Sequence, residues 1–150
     1  MASLTSDKVC NINNVSYDSG LRCCALGACI ASNGGNIYAK MGRVAMVVAP
    51  AAAELSRTWN LKDNAITCAN TLFASNWYIP NRSELTVLAE CLTYMDAPKL
   101  TSYWSSIFSC CPGFNPWRVS FETSNRGVYI CRSTGCNVNF CVRAIRKVYY

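Results

Sequence analysis

Eleven cysteines and no histidine in 150 residues are the tightest limits on what this chain can build. Cys23, Cys24 and Cys29 sit close together, Cys110 and Cys111 are adjacent, and Cys131, Cys136 and Cys141 recur at every fifth position. Zinc knuckles present their ligands a few residues apart, and no Cys-x-x-Cys pair occurs. Without histidine only an all-cysteine site could form, so the cysteines are expected to be buried thiols and disulfides and no metal is expected. An odd count leaves at least one thiol free or paired between chains if all the others bridge internally. Spacing leaves the connectivity open.

The length suits one domain with one core. About half the residues are apolar and 15% are charged, a composition of globular protein with large uncharged surfaces. A net charge of +6 would favour nucleic acid only if the cations clustered, and they are spread out. Arg143, Arg146 and Lys147 alternate with apolar residues and read as the outer face of a strand. Nucleic acid is therefore not an expected partner. No run reaches the ~20 apolar residues of a membrane helix, so no membrane insertion is expected. Residues 1–7 lack the basic and apolar parts of a signal peptide, which predicts synthesis in a cytoplasm.

Residues 1–33 are rich in small and polar types with four cysteines, and read as a Cys-rich N-terminal arm, packed on the domain or on a neighbouring subunit. From Gly34 a strand pair is predicted over 36–39 and 44–48, closed by Pro50. Ala65, Cys68, Ala69 and Leu72 fall at helical spacing after Asp63, giving a helix over 64–73. Asn81, with Glu84 three residues on, forms a capping-box signature ahead of Leu85, Leu88 and Leu92, so a second helix begins there. Beyond Pro98, short β-rich runs at 103–105, 117–121, 128–131 and 138–145 are separated by turn residues. Strands, two helices, then strands predict an α+β class over residues 34–150, two helices packed on short antiparallel strands.

Five of these pieces, in order, resemble the C-type-lectin-like domains found at the C-terminal end of bacterial surface proteins and phage structural proteins. They are Gly34-Gly35; Trp59 followed by Ala65, Cys68 and Ala69; Trp77-Tyr78-Ile79-Pro80 with Glu84 and Leu85; Tyr103-Trp104-Ser105-Ser106; and Val142-Arg143-Ala144-Ile145-Arg146. The resemblance implies a C-type-lectin-like fold over residues 34–150. Trp59, Trp77, Trp104, Leu85 and Leu88 would be its bulky core, and Glu84 a helix cap that pairs with Arg143 or Arg146.

The sequence departs from calcium-dependent sugar binders of that family. Neither a Glu-Pro-Asn or Gln-Pro-Asp loop nor a Trp-Asn-Asp strand is present to supply oxygen ligands, and Phe114-Asn115-Pro116-Trp117 shares only its Asn and Pro. The signature of formylglycine-generating enzymes is also missing, so Cys131, Cys136 and Cys141 inherit no catalytic role. Ser-His-Asp, Cys-His and HExxH arrangements are excluded by composition, and no phosphate-binding glycine loop occurs. Glu54, Asp63, Glu84, Glu90, Asp96 and Glu122 all sit at plausible caps, turns or helix faces. No enzyme and no cofactor are expected.

What the resemblance implies about function is a virion surface, reached from the host cytoplasm, with other virion proteins as partners and a homo-oligomer as the assembled form. One reading is a tail-fibre or head-fibre adhesin that recognises a host cell-surface receptor. By position in the family its contact patch would lie in 108–117 and 125–139, where Phe114, Asn115, Trp117, Arg118, Arg126, Tyr129, Arg132, Asn137 and Asn139 combine aromatic, cationic and amide groups. The alternative is a capsid decoration, cement or fibre-base protein whose low charge and cysteine-rich arm lock neighbouring subunits together.

Overall fold

The computed structural model describes residues 10–12, 15–28, 34–73, 76–109, 115–124, 126–130 and 138–150. Their strands are, in chain order, β1 (Cys10–Ile12), β2 (Val15–Tyr17), β3 (Asn36–Met41), β4 (Val44–Val48), β5 (Leu55–Arg57), β6 (Ser102–Ser109), β7 (Asn115–Ser120), β8 (Gly127–Ile130), β9 (Phe140–Val142) and β10 (Ile145–Tyr149). Two helices, α1 (Asn64–Leu72) and α2 (Arg82–Glu90), lie between β5 and β6. The strands form two five-stranded sheets, ordered β1-β2-β10-β4-β3 and β5-β9-β6-β7-β8.

The first sheet is buried on both faces. Tyr38, Met46, Val48 and Ile145 meet Tyr103, Val119 and Cys141 of the second sheet together with Leu85 and Leu88 of α2. On the opposite face Ile37, Ala45, Val47 and Val148 pack with Leu21, Ala53, Ala69 and Trp77. This two-sided cover explains why 45–49 is buried without a break, and why it reads as a continuous apolar run. A third cluster covers the β5, β9 and β6 part of the far face of the second sheet, where Ala65 of α1 and Ile79 meet Trp104 and Val142. Both large indoles at this end are satisfied: Trp104 Nε1 donates to the Arg57 carbonyl at 2.8 Å and Trp59 Nε1 to that of Ser105 at 2.9 Å.

Local chemistry fixes the ends of these elements. Gly35 has φ +89°, and a Cβ there would stand 2.7 Å from Val47 Cγ1 and from the Val48 carbonyl oxygen, so only glycine lets β3 enter beside β4. At α2, Asn81 Oδ1 accepts from the Glu84 amide at 2.8 Å while Glu84 Oε1 accepts from the Asn81 amide at 3.0 Å. Both orphan donors of the capping box are thereby used. Leu85 and Leu88 then fall on the core side, each contributing about 1.5–3 kcal/mol by burial.

The expected α+β class does not hold: the chain is mainly β. Each sheet is mixed rather than antiparallel, because β10 runs parallel to β2 and β6 parallel to β9. The two helices have nine residues each and are secondary to ten strands. The expectation overlooked β1, β2 and β5, which are three residues long and too short for a two-residue period to register. The C-terminal cations are also corrected. Arg143 and Arg146 are buried and only Lys147 faces solvent, because Arg143 is enclosed by Glu54 and the carbonyls of Ala49, Asp96 and Ala97, and Arg146 by Ser16 of β2, which lies alongside β10.

Candidate binding surface

Successive residues of a strand point to opposite faces of its sheet, and this divides the expected contact residues. In β7, Val119 enters the core beneath α2, so Trp117 shares the α2 face and Arg118 takes the other. Trp117 stands opposite Ile130 and carries the Arg82 guanidinium 4.7 Å from its ring. Beside it a shallow hollow of about 390 Å³ is lined by Arg82, Ser83, Thr86 and Val128.

The other face is built differently. Arg118 stands opposite Trp104 on β6 and opposite Tyr129 on β8. Its Nη1 donates to Ser102 Oγ, and its guanidinium lies 5.2 Å from the Phe140 ring of β9. Arg118 and Phe140 are both half-buried, over Ser102 and Ser120, which are buried. Arg126, just ahead of β8, and Val138 and Asn139, ahead of β9, are exposed. The structure therefore joins Arg118 to two residues the sequence did not single out, Ser102 and Phe140. The alternation along 138–142 was the available signal for Phe140; Ser102 offered none.

Of the other expected contact residues, Asn115 occupies the first position of β7, opposite Ser109, and Tyr129 faces Arg118 in the ladder. Phe114, Arg132 and Asn137 lie outside the described residues.

The ionisable groups of the interior are engaged with one another. Glu54, between the 51–53 turn and β5, accepts from Arg143 Nη2 at 2.8 Å and from the Tyr103 hydroxyl, and Lys99 Nζ approaches its second oxygen at 3.3 Å. Burial pushes the Tyr103 phenol up, reinforced by its hydrogen bond to Glu54. Burial likewise raises the Cys141 thiol beside the same carboxylate, so this sulfur is held as a neutral thiol rather than a nucleophilic thiolate. Glu84, the expected partner of Arg143 or Arg146, instead meets Lys147 at 3.7 Å and accepts from the Tyr78 hydroxyl at 2.6 Å.

Among the described cysteines Cys23, Cys24, Cys68, Cys91 and Cys141 are free thiols. Among the described residues no group of three or more Cys, Asp or Glu side chains is placed to hold a metal ion, and no helix is long and apolar enough to cross a membrane.

The chain matches no protein-family model, and no curated protein is significantly similar to it.

Proposed function

We propose that this chain is a non-catalytic recognition module of a virion surface, a tail-fibre or head-fibre adhesin. Its contact surface is the side of the second sheet that carries Arg118. The observation that carries this reading is the seating of Arg118 between Ser102 and the Phe140 ring. A cation held on an aromatic face has lost much of its rotational freedom before any partner arrives, which lowers the entropic cost of recognition. Arginine and aromatic groups also dominate the energetics of protein contacts.

Two further facts support a binding role over a catalytic one. Glu54, the most enclosed carboxylate of the expected acid candidates, already has Arg143, Tyr103 and Lys99 as partners, which leaves it no free capacity as a general base. The particle location rests on the motif resemblance to phage structural proteins. Trp77, Trp104, Leu85 and Leu88 of those motifs are buried, which suits a scaffold that presents its variable chemistry elsewhere.

A second reading, a decoration or cement protein, is favoured by one feature of its own. Leu61 and Leu72 are each about half exposed, and Leu72 lines a shallow groove of about 470 Å³ between β5 and α1 with Leu55, Thr67 and Cys68. Unpaired apolar side chains of this size are what subunit contacts cover.

Labelled chain applied to a panel of intact bacterial cells, with its mass measured in solution, separates the two. Saturable binding to some strains supports the adhesin. Absence of cell binding together with stable oligomers, or assembly onto capsids, supports the structural role.

A further inference from the structure

We infer that residues 15–24 form an exchangeable arm, and that a second copy of this chain can lay the same residues into the same seat. This inference is independent of which surface meets a host. The arm consists of β2, Asp18 and the turn Ser19–Cys23. It is attached to β10 by a parallel ladder of two positions, Ser16 with Val148 and Tyr17 with Tyr149, and by the Asp18 amide donating to the Tyr149 carbonyl at 2.7 Å. Leu21 plugs the apolar cluster of Ile37, Ala45, Val47 and Val148.

The seat is built wholly by the rest of the chain, and its centre is a buried cation that the arm only partly satisfies. Arg146 is fully buried, with its guanidinium 5.4 Å from the Trp77 ring. Its Nη2 donates to Ser16 Oγ on the arm, whereas Nε and Nη1 have no acceptor among the described residues, and neither has Trp77 Nε1. Asp18, also on the arm and buried, provides the neighbouring negative charge. Unmet buried donors regain hydrogen bonds when water reaches them, so lifting the arm is offset at this point in a way that opening a fully satisfied contact is not. A two-position ladder gives little to oppose it, and elements held by so few backbone hydrogen bonds are among the first to open.

The connection has a hinge in a defined place. Lys40 Nζ holds the carbonyls of Leu21 and Cys24. Beyond Cys24, Ala25 and Leu26 are exposed, and the chain is then fixed to β3 where the Gly27 amide donates to the Ile37 carbonyl at 2.7 Å and the Ile37 amide to that of Ala28 at 3.1 Å. Two exposed residues between two anchored points form a short hinge, which favours exchange between chains over refolding within one. Every contact made by Ser16, Asp18 and Leu21 is the same whether the seat belongs to their own chain or to another, so the closed two-fold dimer differs from the monomer only at the hinge and in the entropy of association, which high concentration offsets.

The test is a photo-cross-link on the full chain. p-Benzoylphenylalanine replaces Tyr17, light and heavy-nitrogen-labelled chains are mixed equally at high concentration just below the unfolding temperature, and reductant is present throughout. After separation by size and irradiation, mass spectrometry reads whether each cross-link from position 17 to β10 joins chains of one label or of two. The exchanged arm predicts a dimer fraction in which about half of these cross-links are of mixed label, and a monomer fraction with none. The same probe at Tyr149 reports reciprocally and covers a local failure at position 17. Leu21→Ala, which loosens the plug, is expected to speed the appearance of mixed-label cross-links roughly tenfold or more. Cross-links of one label only in every fraction overturn the inference, whether the chain stays monomeric or dimerises through another surface. An unchanged exchange rate in Leu21→Ala overturns it as well.

Discussion

Glu54 Oε1 accepts from both Nη2 and Nε of Arg143, at 2.8 and 3.1 Å, across 89 residues of sequence. The same guanidinium donates to the carbonyls of Ala49, Asp96 and Ala97. One side chain from the link between β9 and β10 thus ties together the end of β4, the start of β5 and the 95–97 bend. Its donors are met by a carboxylate and three backbone oxygens, which offsets the cost of burying a charge. Arg143→Met leaves Glu54 buried without its main cation, and the expected loss is about 3–5 kcal/mol in urea denaturation. Retention of wild-type stability would show that the pair does not hold these segments.

Arg146, three residues further on, is expected to behave differently. Two of its nitrogens lack acceptors among the described residues, so replacing it with an apolar residue of similar length removes an unmet desolvation cost as well as a hydrogen bond. Arg146→Met should cost at most about 1 kcal/mol or stabilise the chain. Side-by-side denaturation of the two variants checks the contrast, and equal losses would contradict it.

Glycine is required at Gly35 far more than at Gly42. Both have positive φ, but a Cβ at Gly35 meets Val47 and backbone, whereas one at Gly42 meets nothing within 4 Å. Gly42→Ala should therefore cost about 1–2 kcal/mol from backbone conformation alone. Gly35→Ala should exceed it clearly, as measured by the shift in denaturation midpoint.

High pH should unfold the chain through its phenols. Burial, reinforced at Tyr78 and Tyr103 by hydrogen bonds to carboxylates, raises Tyr38, Tyr78 and Tyr103 well above the ordinary phenol value of about 10. A raised folded-state value means that these groups stabilise fully below pH of about 10, and that this contribution falls as pH rises further, because the unfolded chain loses protons the folded chain keeps. Arg146, pushed down to about 10 by burial, runs the opposite way, but it is one group against three. Ultraviolet titration should show the remaining tyrosines ionising first and these three only together with loss of β structure. Smooth ionisation of all eight tyrosines in a folded chain would contradict this.

Much of the scaffold was legible because its signals are local. The Asn81 and Glu84 pair marked the start of α2, the apolar spacing after Asp63 marked α1, and Gly34-Gly35 with the run at 44–48 marked the β3–β4 hairpin. What failed depends on distant partners. Arg146 looks solvent-facing in its own strand, and becomes buried only because β2, some 130 residues earlier, lies beside it. The mainly β class was missed for the same reason, since three-residue strands acquire meaning only from the ladder they join. Alternation along β7 also divides the expected contact residues: Arg118 takes one face and Trp117, next to it in the strand, takes the other.

That division gives the most direct test of the recognition surface. Trp117→Ala and Arg118→Ala are compared with the parent chain for thermal stability and for saturable binding to intact bacterial cells that bind the parent. Arg118→Ala, while folded, should lose roughly tenfold or more in cell affinity, as the loss of a contact arginine predicts. Trp117→Ala should lose stability and, while folded, keep its affinity. Undiminished binding by folded Arg118→Ala, with loss confined to Trp117→Ala, would place the contact surface on the α2 side and contradict the account.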